Sequence, residues 1–157
     1  MKYTMSKTDV INPGVKLYRI TRIADGAVGG YIEKESNLAH EGDAWVFGNA
    51  WVSGNARVSG DAHVSGNARV SGNARVSGDA WVSGDARVRK TSRITTSQDL
   101  VVITGFTFDI SITRANVAIG CMDMTLEEWL KYPGKKLRPG ETKKIKAVLR
   151  AISADWK

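Results

Sequence analysis

Residues 42–88 read GDAWVF GNAWVS GNARVS GDAHVS GNARVS GNARVS GDAWVS GDARV. A six-residue unit, Gly-Asn/Asp-Ala-x-Val-Ser, occurs here eight times without a gap. Internal repetition at a fixed period is the sequence signature of a repeat architecture, in which each unit is one structural element. The architecture of the whole chain is therefore predicted from this segment outward.

Each unit predicts a short strand followed by a corner. On a strand, Ala and Val of the unit face one side and the x residue faces the other. The Gly-Asn or Gly-Asp pair suits a tight corner, because both residues tolerate unusual backbone angles. A strand this short cannot bury its apolar face alone, so neighbouring units must stack. We expect a solid interior, without a ligand cavity, formed by the alanines from Ala44 to Ala86 and the valines from Val46 to Val88.

A longer period lies within the first. Asp replaces Asn at Asp43, Asp61 and Asp79, which are eighteen residues apart. Eighteen residues are three units, which indicates three strands per coil, with coils about 4.8 Å apart. The outward residues then form three columns: Trp45, His63 and Trp81; Trp51, Arg69 and Arg87; and Arg57, Arg75 and, if the coil continues, Arg93.

This repeat resembles the hexapeptide-repeat proteins, which are left-handed parallel β-helices, usually trimeric, and include many acyltransferases. The segments GGYIEKESNLAHEGDAWV and ITRANVAIGCMDMTLEEWLKY resemble, more specifically, hexapeptide proteins encoded in bacteriophages and prophages. The resemblance covers roughly residues 15–131. It implies an all-β fold: a left-handed parallel β-helix of about three to four coils with three hexads each, assembled as a homotrimer.

The remaining segments predict caps at both ends of the helix. Residues 1–41 are expected to form an N-terminal strand and cap, with a polar, loose start over 1–13 and a strand over 15–24. The β-helix is assigned to 42–99 and a β cap to 100–120, which has the pattern of two or three strands. Residues 121–157 are assigned to short α-helices and a basic linker. Thr125 and Glu128 form the pattern of a capping box, and a second, amphipathic helix is expected from Thr142 onward. That helix packs on its own cap, on a neighbouring subunit or on a partner.

Composition limits the compartment and the partners. The chain has 157 residues, 23 Lys or Arg against 16 Asp or Glu, a net charge of +7 and one cysteine. A single cysteine suits a reducing compartment. No apolar run approaches the roughly 20 residues of a membrane span, and the first residues lack the apolar centre of a secretory signal. We expect a cytoplasmic protein of an infected or lysogenic bacterium, without a membrane partner.

Candidate catalytic residues are few. His63 aligns with two tryptophans and is interpreted as a member of an aromatic column, and His40 as a contact of the N-terminal cap. No inserted loop interrupts the repeat, so little would exclude water or position an acyl donor. Cys121 has no neighbouring base in sequence and is interpreted as a buried small residue. Asp43, Asp61 and Asp79 are expected to make corner hydrogen bonds rather than to bind a metal. The sequence thus predicts no catalytic residues, no metal and no cofactor.

The arginine columns are the main functional signal. Arg57, Arg75 and Arg93 repeat at strand spacing, as do Arg69 and Arg87 beside Trp51. Like charges in a row destabilise a sheet unless an anion neutralises them, and arginine forks suit phosphates. The alternative is a solvated face that keeps a repetitive β protein from aggregating. The apolar column of Trp45, His63 and Trp81 is predicted as the subunit interface, which would place arginines at the clefts between subunits.

The resulting hypothesis is a non-catalytic, phage-encoded trimer that sequesters an anionic, nucleotide-like ligand, such as a signal of host defence, at inter-subunit clefts. A second hypothesis is a structural or interaction module that acts on a host or virion protein through the basic segment 135–150. The third is a hexapeptide acyltransferase. Specific nucleic-acid recognition is not expected, since net charge alone supports only phosphate contact.

Overall fold

The computed structural model describes residues 1–12 and 14–156, with the backbone only for residues 7–12. Three strands precede the repeat: β1 (Tyr3–Asn12), β2 (Val15–Arg22) and β3 (Val28–Ile32). The repeat itself forms two-residue strands: β4 (Trp45–Val46), β5 (Trp51–Val52), β6 (Arg57–Val58), β7 (His63–Val64), β8 (Arg69–Val70), β9 (Arg75–Val76), β10 (Trp81–Val82), β11 (Arg87–Val88) and β12 (Arg93–Ile94).

These strands form a parallel β-solenoid of about four turns. Three full coils run from β4 to β12, and a partial coil before them is formed by β3 and Leu38, which makes a parallel bridge to Val58. The predicted eighteen-residue coil and the prediction of three to four coils are confirmed. The coil also continues through Arg93 and Ile94, where the hexad has lost its glycine.

The solenoid has three faces, each a sheet of stacked strands. Face 1 consists of β4, β7 and β10; face 2 of β3, β5, β8 and β11; and face 3 of β6, β9 and β12. The pairing register aligns the outward residues as the sequence predicts: Trp45, His63 and Trp81 on face 1; Trp51, Arg69 and Arg87 on face 2; Arg57, Arg75 and Arg93 on face 3.

The interior is formed by the alanine and valine columns. Every alanine from Ala44 to Ala86 and every valine from Val46 to Val88 is 0–1% exposed, and Ile94 closes the column at 0%. The corners carry the expected hydrogen bonds between coils: the backbone N–H of Asp43 donates to Asp61 Oδ1 at 3.2 Å, and Asn67 Nδ2 donates to Asp85 Oδ1 at 3.2 Å. The aspartate column is therefore part of the corner structure.

The N-terminal segment differs from the prediction. Residues 3–12 form β1, which pairs antiparallel with β2, so this stretch is ordered structure and not loose; the last residue of the predicted loose stretch, Pro13, lies outside the described residues. The cause is burial: Tyr3 is 2% exposed and its hydroxyl donates to Leu38 O at 2.8 Å. Gly30 allows the close approach of β3 to the first coil, since a Cβ there would lie 2.5 Å from Ala50 O.

The C-terminal cap is a four-stranded antiparallel sheet with two helices. Its elements are β13 (Leu100–Ile103), β14 (Ile110–Thr113), β15 (Val117–Ile119), β16 (Met122–Met124), α1 (Leu126–Lys131) and α2 (Glu141–Asp155). The sheet extends past residue 120 through β16. The capping box at Thr125 is present: Thr125 N donates to Glu128 Oε2 at 2.7 Å, and Glu128 N donates to Thr125 Oγ1 at 3.3 Å.

The cap has its own apolar core. Trp129 of α1 and Ile145 and Leu149 of α2 are each 1% exposed and pack with the buried residues of β14 and β15. The amphipathic helix α2 therefore packs on its own cap. The cap is joined to the last coil by polar contacts, among them a bond from Arg87 N to Ser111 Oγ at 2.9 Å and one from Lys90 Nζ to Asp123 O at 2.6 Å.

Candidate anion-binding site

Face 3 presents the most exposed arginines. Arg57, Arg75 and Arg93 are exposed, and no carboxylate of a described residue lies within 4 Å of their guanidinium nitrogens. Arg57 and Arg75 line a shallow groove of about 260 Å³ together with Ser59 and Ser77. The structure thus brings these three residues together as predicted, although in full contact with water, where a row of charges is well screened.

Face 2 is less exposed and combines arginines with aromatic rings. The guanidinium of Arg69 lies 5.6 Å from the centre of the Trp51 ring, and that of Arg19 lies 4.4 Å from the Tyr31 ring. Arg87 Nη1 donates to the backbone carbonyl of Gly120 in the cap. Trp51, Arg69 and Arg87 are all half-buried. The second predicted column is therefore a set of stacked cations and rings, not a freely solvated row.

A third arginine, Arg89, follows Arg87 in the same coil and lies close enough to Arg87 and Arg69 for their charges to act on it. We call Arg69, Arg87 and Arg89 the arginine cluster. The side chain of Arg89 is half-buried and makes no hydrogen bond or ion pair with a described residue. Burial lowers the pKa of Arg89, and the charges of Arg87 and Arg69 lower it further, whereas those of Asp123 and Cys121 oppose this shift. A guanidinium that is both desolvated and flanked by like charges is held in an environment that favours an anion.

The carboxylate whose charge acts on Arg89 is that of Asp123. Its Oδ1 is buried without a hydrogen-bond partner among the described residues and lies 4.0 Å from Lys90 Nζ. Burial raises the pKa of Asp123, although the charges of Lys90 and Arg89 oppose this. Asp123 is a single carboxylate that acts on both Lys90 and Arg89, so it compensates the three guanidinium groups only in part.

Sequence reasoning did not single out Arg89, yet the repeat contained a signal. The sixth position of the hexad is Ser in six of the eight units, and it is Phe47 in the first and Arg89 in the last. The next residue, Lys90, lies at a corner of the coil, stacked on Gly72, the corner residue of the preceding coil. Its φ is 52°. A non-glycine residue in this region is uncommon and is found where surrounding contacts hold it. In the last unit, the departure from the repeat thus occurs where the solenoid meets the cap, since Lys90 Nζ donates to Asp123 O.

Face 1 carries the predicted aromatic column, extended by one residue. The ring of His63 lies 5.0 Å from that of Trp81 and 5.3 Å from that of Phe47. Trp81 is 59% exposed, but Trp45 is only 2% exposed, because Tyr3 and Arg22 of the N-terminal hairpin cover it. Within this predicted interface, the surface available to another subunit is therefore that of His63 and Trp81.

The candidate catalytic residues are placed as follows. Both ring nitrogens of His40 are engaged: Nδ1 accepts from Lys2 N at 3.1 Å, and Nε2 lies 2.7 Å from Glu35 Oε1. His40 also stacks on Tyr3 with ring centres 4.6 Å apart, which makes it a contact of the N-terminal cap, as expected. The prediction that Cys121 is buried is wrong: Cys121 is exposed, because it lies in the tight turn between β15 and β16, after Gly120 with φ of 57°.

Neither a metal site nor a membrane-spanning helix occurs among residues 1–12 and 14–156. No group of three or more His, Cys, Asp or Glu side chains in this part of the chain has the arrangement of a metal site. The described helices include none that is long and apolar enough to span a membrane.

Comparison with known proteins supports the repeat architecture. A family model described as the YdcK β-solenoid repeat matches residues 50–66 and 68–84. A comparison with curated proteins gave no match. The match lies within the coils whose stacking is described above, and together they show that the chain is a β-solenoid repeat protein.

Proposed function

We propose that this protein is a non-catalytic binding protein that captures an anionic, nucleotide-like ligand at the arginine cluster. The observation that carries the proposal is the environment of Arg89, a half-buried guanidinium that makes no hydrogen bond or ion pair with a described residue and on which the charges of Arg69 and Arg87 act. Arg89 is desolvated, and two further guanidinium groups act on it against the single carboxylate of Asp123. A bound anion would relieve this repulsion, and the gain would contribute to its affinity.

The chemistry of face 2 favours a phosphate attached to a ring. A guanidinium offers two parallel N–H donors to a phosphate, so the cluster suits a phosphate or pyrophosphate group. Trp51 is half-buried and lies beside Arg69, where its indole offers a stacking surface for a base. A ligand with phosphate at the cluster and a base near Trp51 would use both features.

The biological setting belongs to the same proposal. The resemblance of residues 15–131 to hexapeptide proteins encoded in bacteriophages supports a nucleotide signal of host defence as the captured molecule, with the protein acting inside the infected bacterium. We also propose a homotrimer whose subunits meet at the exposed part of face 1, mainly through Trp81. The exposed arginines of face 3 would then line clefts between subunits and attract the ligand.

Isothermal titration tests the proposal with pyrophosphate and a panel of linear and cyclic nucleotides. The variant is Arg89→Gln, and the matched control is Arg57→Gln on the exposed column of face 3. Because a hydrogen bond to a charged group contributes about 1.5–3 kcal/mol, we expect at least a roughly tenfold loss of affinity in Arg89→Gln. Arg57→Gln should lose less. Absence of heat with every probe, or equal affinity of Arg89→Gln and the wild type, would refute the proposal.

One observation favours a second candidate, a module that contacts a host or virion protein. The outer side of α2 and the linker before it expose Lys135, Lys136, Lys143, Lys144 and Arg150. Because Ile145 and Leu149 of α2 belong to the cap core, deletion of this segment would unfold the cap and would not be informative. The double variant Lys143→Glu/Lys144→Glu is the better test. If it abolishes co-purification of a defined protein from infected cells while nucleotide binding is unchanged, the second candidate gains support.

A further inference from the structure

A second concave site lies between the N-terminal hairpin and the first coil, on face 1. We call it the hairpin pocket; it has a volume of about 410 Å³ and is lined by Lys2, Arg22, Asp43, Ala44, Trp45, Phe47 and His63. This volume falls in the range of small-molecule sites. The pocket lies on a different face from the arginine cluster and shares no residue with it.

Aromatic rings form the apolar part of this pocket. The Phe47 and His63 rings meet edge to face at 5.3 Å, and the indole of Trp45 lies behind the guanidinium of Arg22, which is 4.7 Å from its centre. Phe47 is 36% exposed and stands where six of the other hexads have serine. The fold of the coil does not require an aromatic residue at this position, since the serine-containing coils stack equally well.

The polar part of the pocket contains two cations and one carboxylate. Lys2 Nζ donates to Gly42 O at 3.0 Å and to Ala44 O at 2.7 Å, which fixes the ammonium group at the pocket wall. Burial lowers the pKa of Lys2; the charge of Asp43 opposes this, and that of Arg22 adds to it. Arg22 is paired with Asp25 at 3.3 Å, but both side chains are largely exposed, and such pairs are weak. The lining residues thus place two cations and one carboxylate beside the rings, and the charges of Glu41 and Asp61 also act on Lys2.

We propose that the hairpin pocket binds a planar aromatic ring that carries an anionic group, with the ring against Phe47 and His63 and the anion at Lys2 and Arg22. Stacking on aromatic side chains combined with a nearby cation is the recognition mode of nucleobases and related anions, and it tolerates rings of different kinds. Trp81, which does not line the pocket, remains available for subunit contact.

The test uses AMP as the probe in the Arg89→Gln background, which weakens the contribution of the arginine cluster. Binding is followed by tryptophan fluorescence and by titration calorimetry, with adenosine and inorganic phosphate as the ring-only and anion-only probes. We expect AMP to bind with a dissociation constant of about 1 mM or below, and each partial probe to bind at least about tenfold more weakly.

Two variants test which residues contact the ring of the ligand and which contact its anionic group. Phe47→Ser introduces the serine that six of the other hexads have at this position, so folding should be unchanged. The affinity for AMP should fall about tenfold, as expected for a lost stacking surface. Arg22→Gln should weaken AMP and leave the weaker affinity for adenosine unchanged. No AMP binding at millimolar concentration, or equal AMP affinity in Phe47→Ser and its parent, would overturn the proposal. Because the background lacks Arg89, failure here is distinct from failure of the arginine cluster to bind.

Discussion

The solenoid and the C-terminal cap bury apolar residues in different ways. In the solenoid, small side chains of two types repeat in every coil, and each contacts its equivalents above and below. In the cap, large side chains such as Trp129, Ile110 and Leu149 each occur once, at a position with no equivalent. The stability of a repeat array is approximately a sum of similar neighbour terms, whereas the cap depends on a few individual contacts. Single substitutions should therefore reveal the difference.

The largest effect is expected at the centre of the cap. Trp129 is 1% exposed, and its Nε1 donates to Val117 O at 2.8 Å. Replacement by Ala removes a large buried ring and should reduce the free energy of unfolding by about 3–5 kcal/mol, measured by urea denaturation. Trp129→Phe is the control, because it keeps much of the ring volume and loses the hydrogen bond. Its free energy of unfolding should fall by about 1–3 kcal/mol. Equal losses in the two variants would show that the cap core does not depend on this packing.

Substitutions at two corner glycines distinguish the effect of close stacking between coils from the effect of backbone strain. Gly60 has φ of +69°, and a Cβ there would lie 3.0 Å from Gly78 N in the next coil. Gly84 has φ of +65° but would meet nothing within 4 Å. Both Ala variants incur the cost of a left-handed conformation, about 1–2 kcal/mol, and Gly60→Ala should lose about 1 kcal/mol more from crowding. Thermal unfolding of the two variants measures the difference, and equal stabilities would mean that the coils do not stack this closely.

The smallest effect is expected at the junction of the two regions. Burial alone would raise the pKa of Asp99, but hydrogen bonds donated by Thr95 and Thr96, and one from Arg114, lower it to about 2 from 3.8. Since the folded pKa is below the unfolded value, the charged carboxylate stabilises the fold above pH 3.8, and this contribution is lost as the pH falls toward 2.

Solvent screening reduces this contribution to about 1 kcal/mol. Asp99→Asn cannot ionise, so its stability should fall by about 1 kcal/mol less than that of the wild type between pH 5 and pH 2. Parallel stability curves for the two proteins, measured by denaturant titration at each pH, would contradict the assignment.

The same difference between the solenoid and the cap explains how much of the structure could be predicted from the sequence. The hexad allowed the coil length, the three columns and the pairing of Arg57 with Arg75 to be predicted, because each unit faces the same physical constraint as its neighbours. The cap lacks such redundancy: Cys121 follows an apolar run and was predicted to be buried, but the turn after Gly120 exposes it. Local pattern indicates a strand, while the position of a turn depends on tertiary pairing.

Two features of the candidate sites were missed for related reasons. β1 was predicted to be loose because its sequence is polar, and only the burial of Tyr3 in the solenoid end explains its order. Arg89 was not singled out from the sequence, although its charge interacts with those of Arg69 and Arg87. Both cases depend on contacts between distant segments. Residues that break a regular repeat are useful markers, since Phe47 and Arg89 line the two proposed sites.

The most direct test of anion capture at the arginine cluster is native mass spectrometry of the protein after incubation with a set of nucleotides. We expect a trimer that carries a nucleotide mass in the wild type and in Arg57→Gln, and a trimer without that mass in Arg89→Gln. The Arg57→Gln control separates the cluster from general attraction by the exposed face 3. A wild-type protein that retains no nucleotide, or an Arg89→Gln variant that retains the same mass as the wild type, would contradict the account.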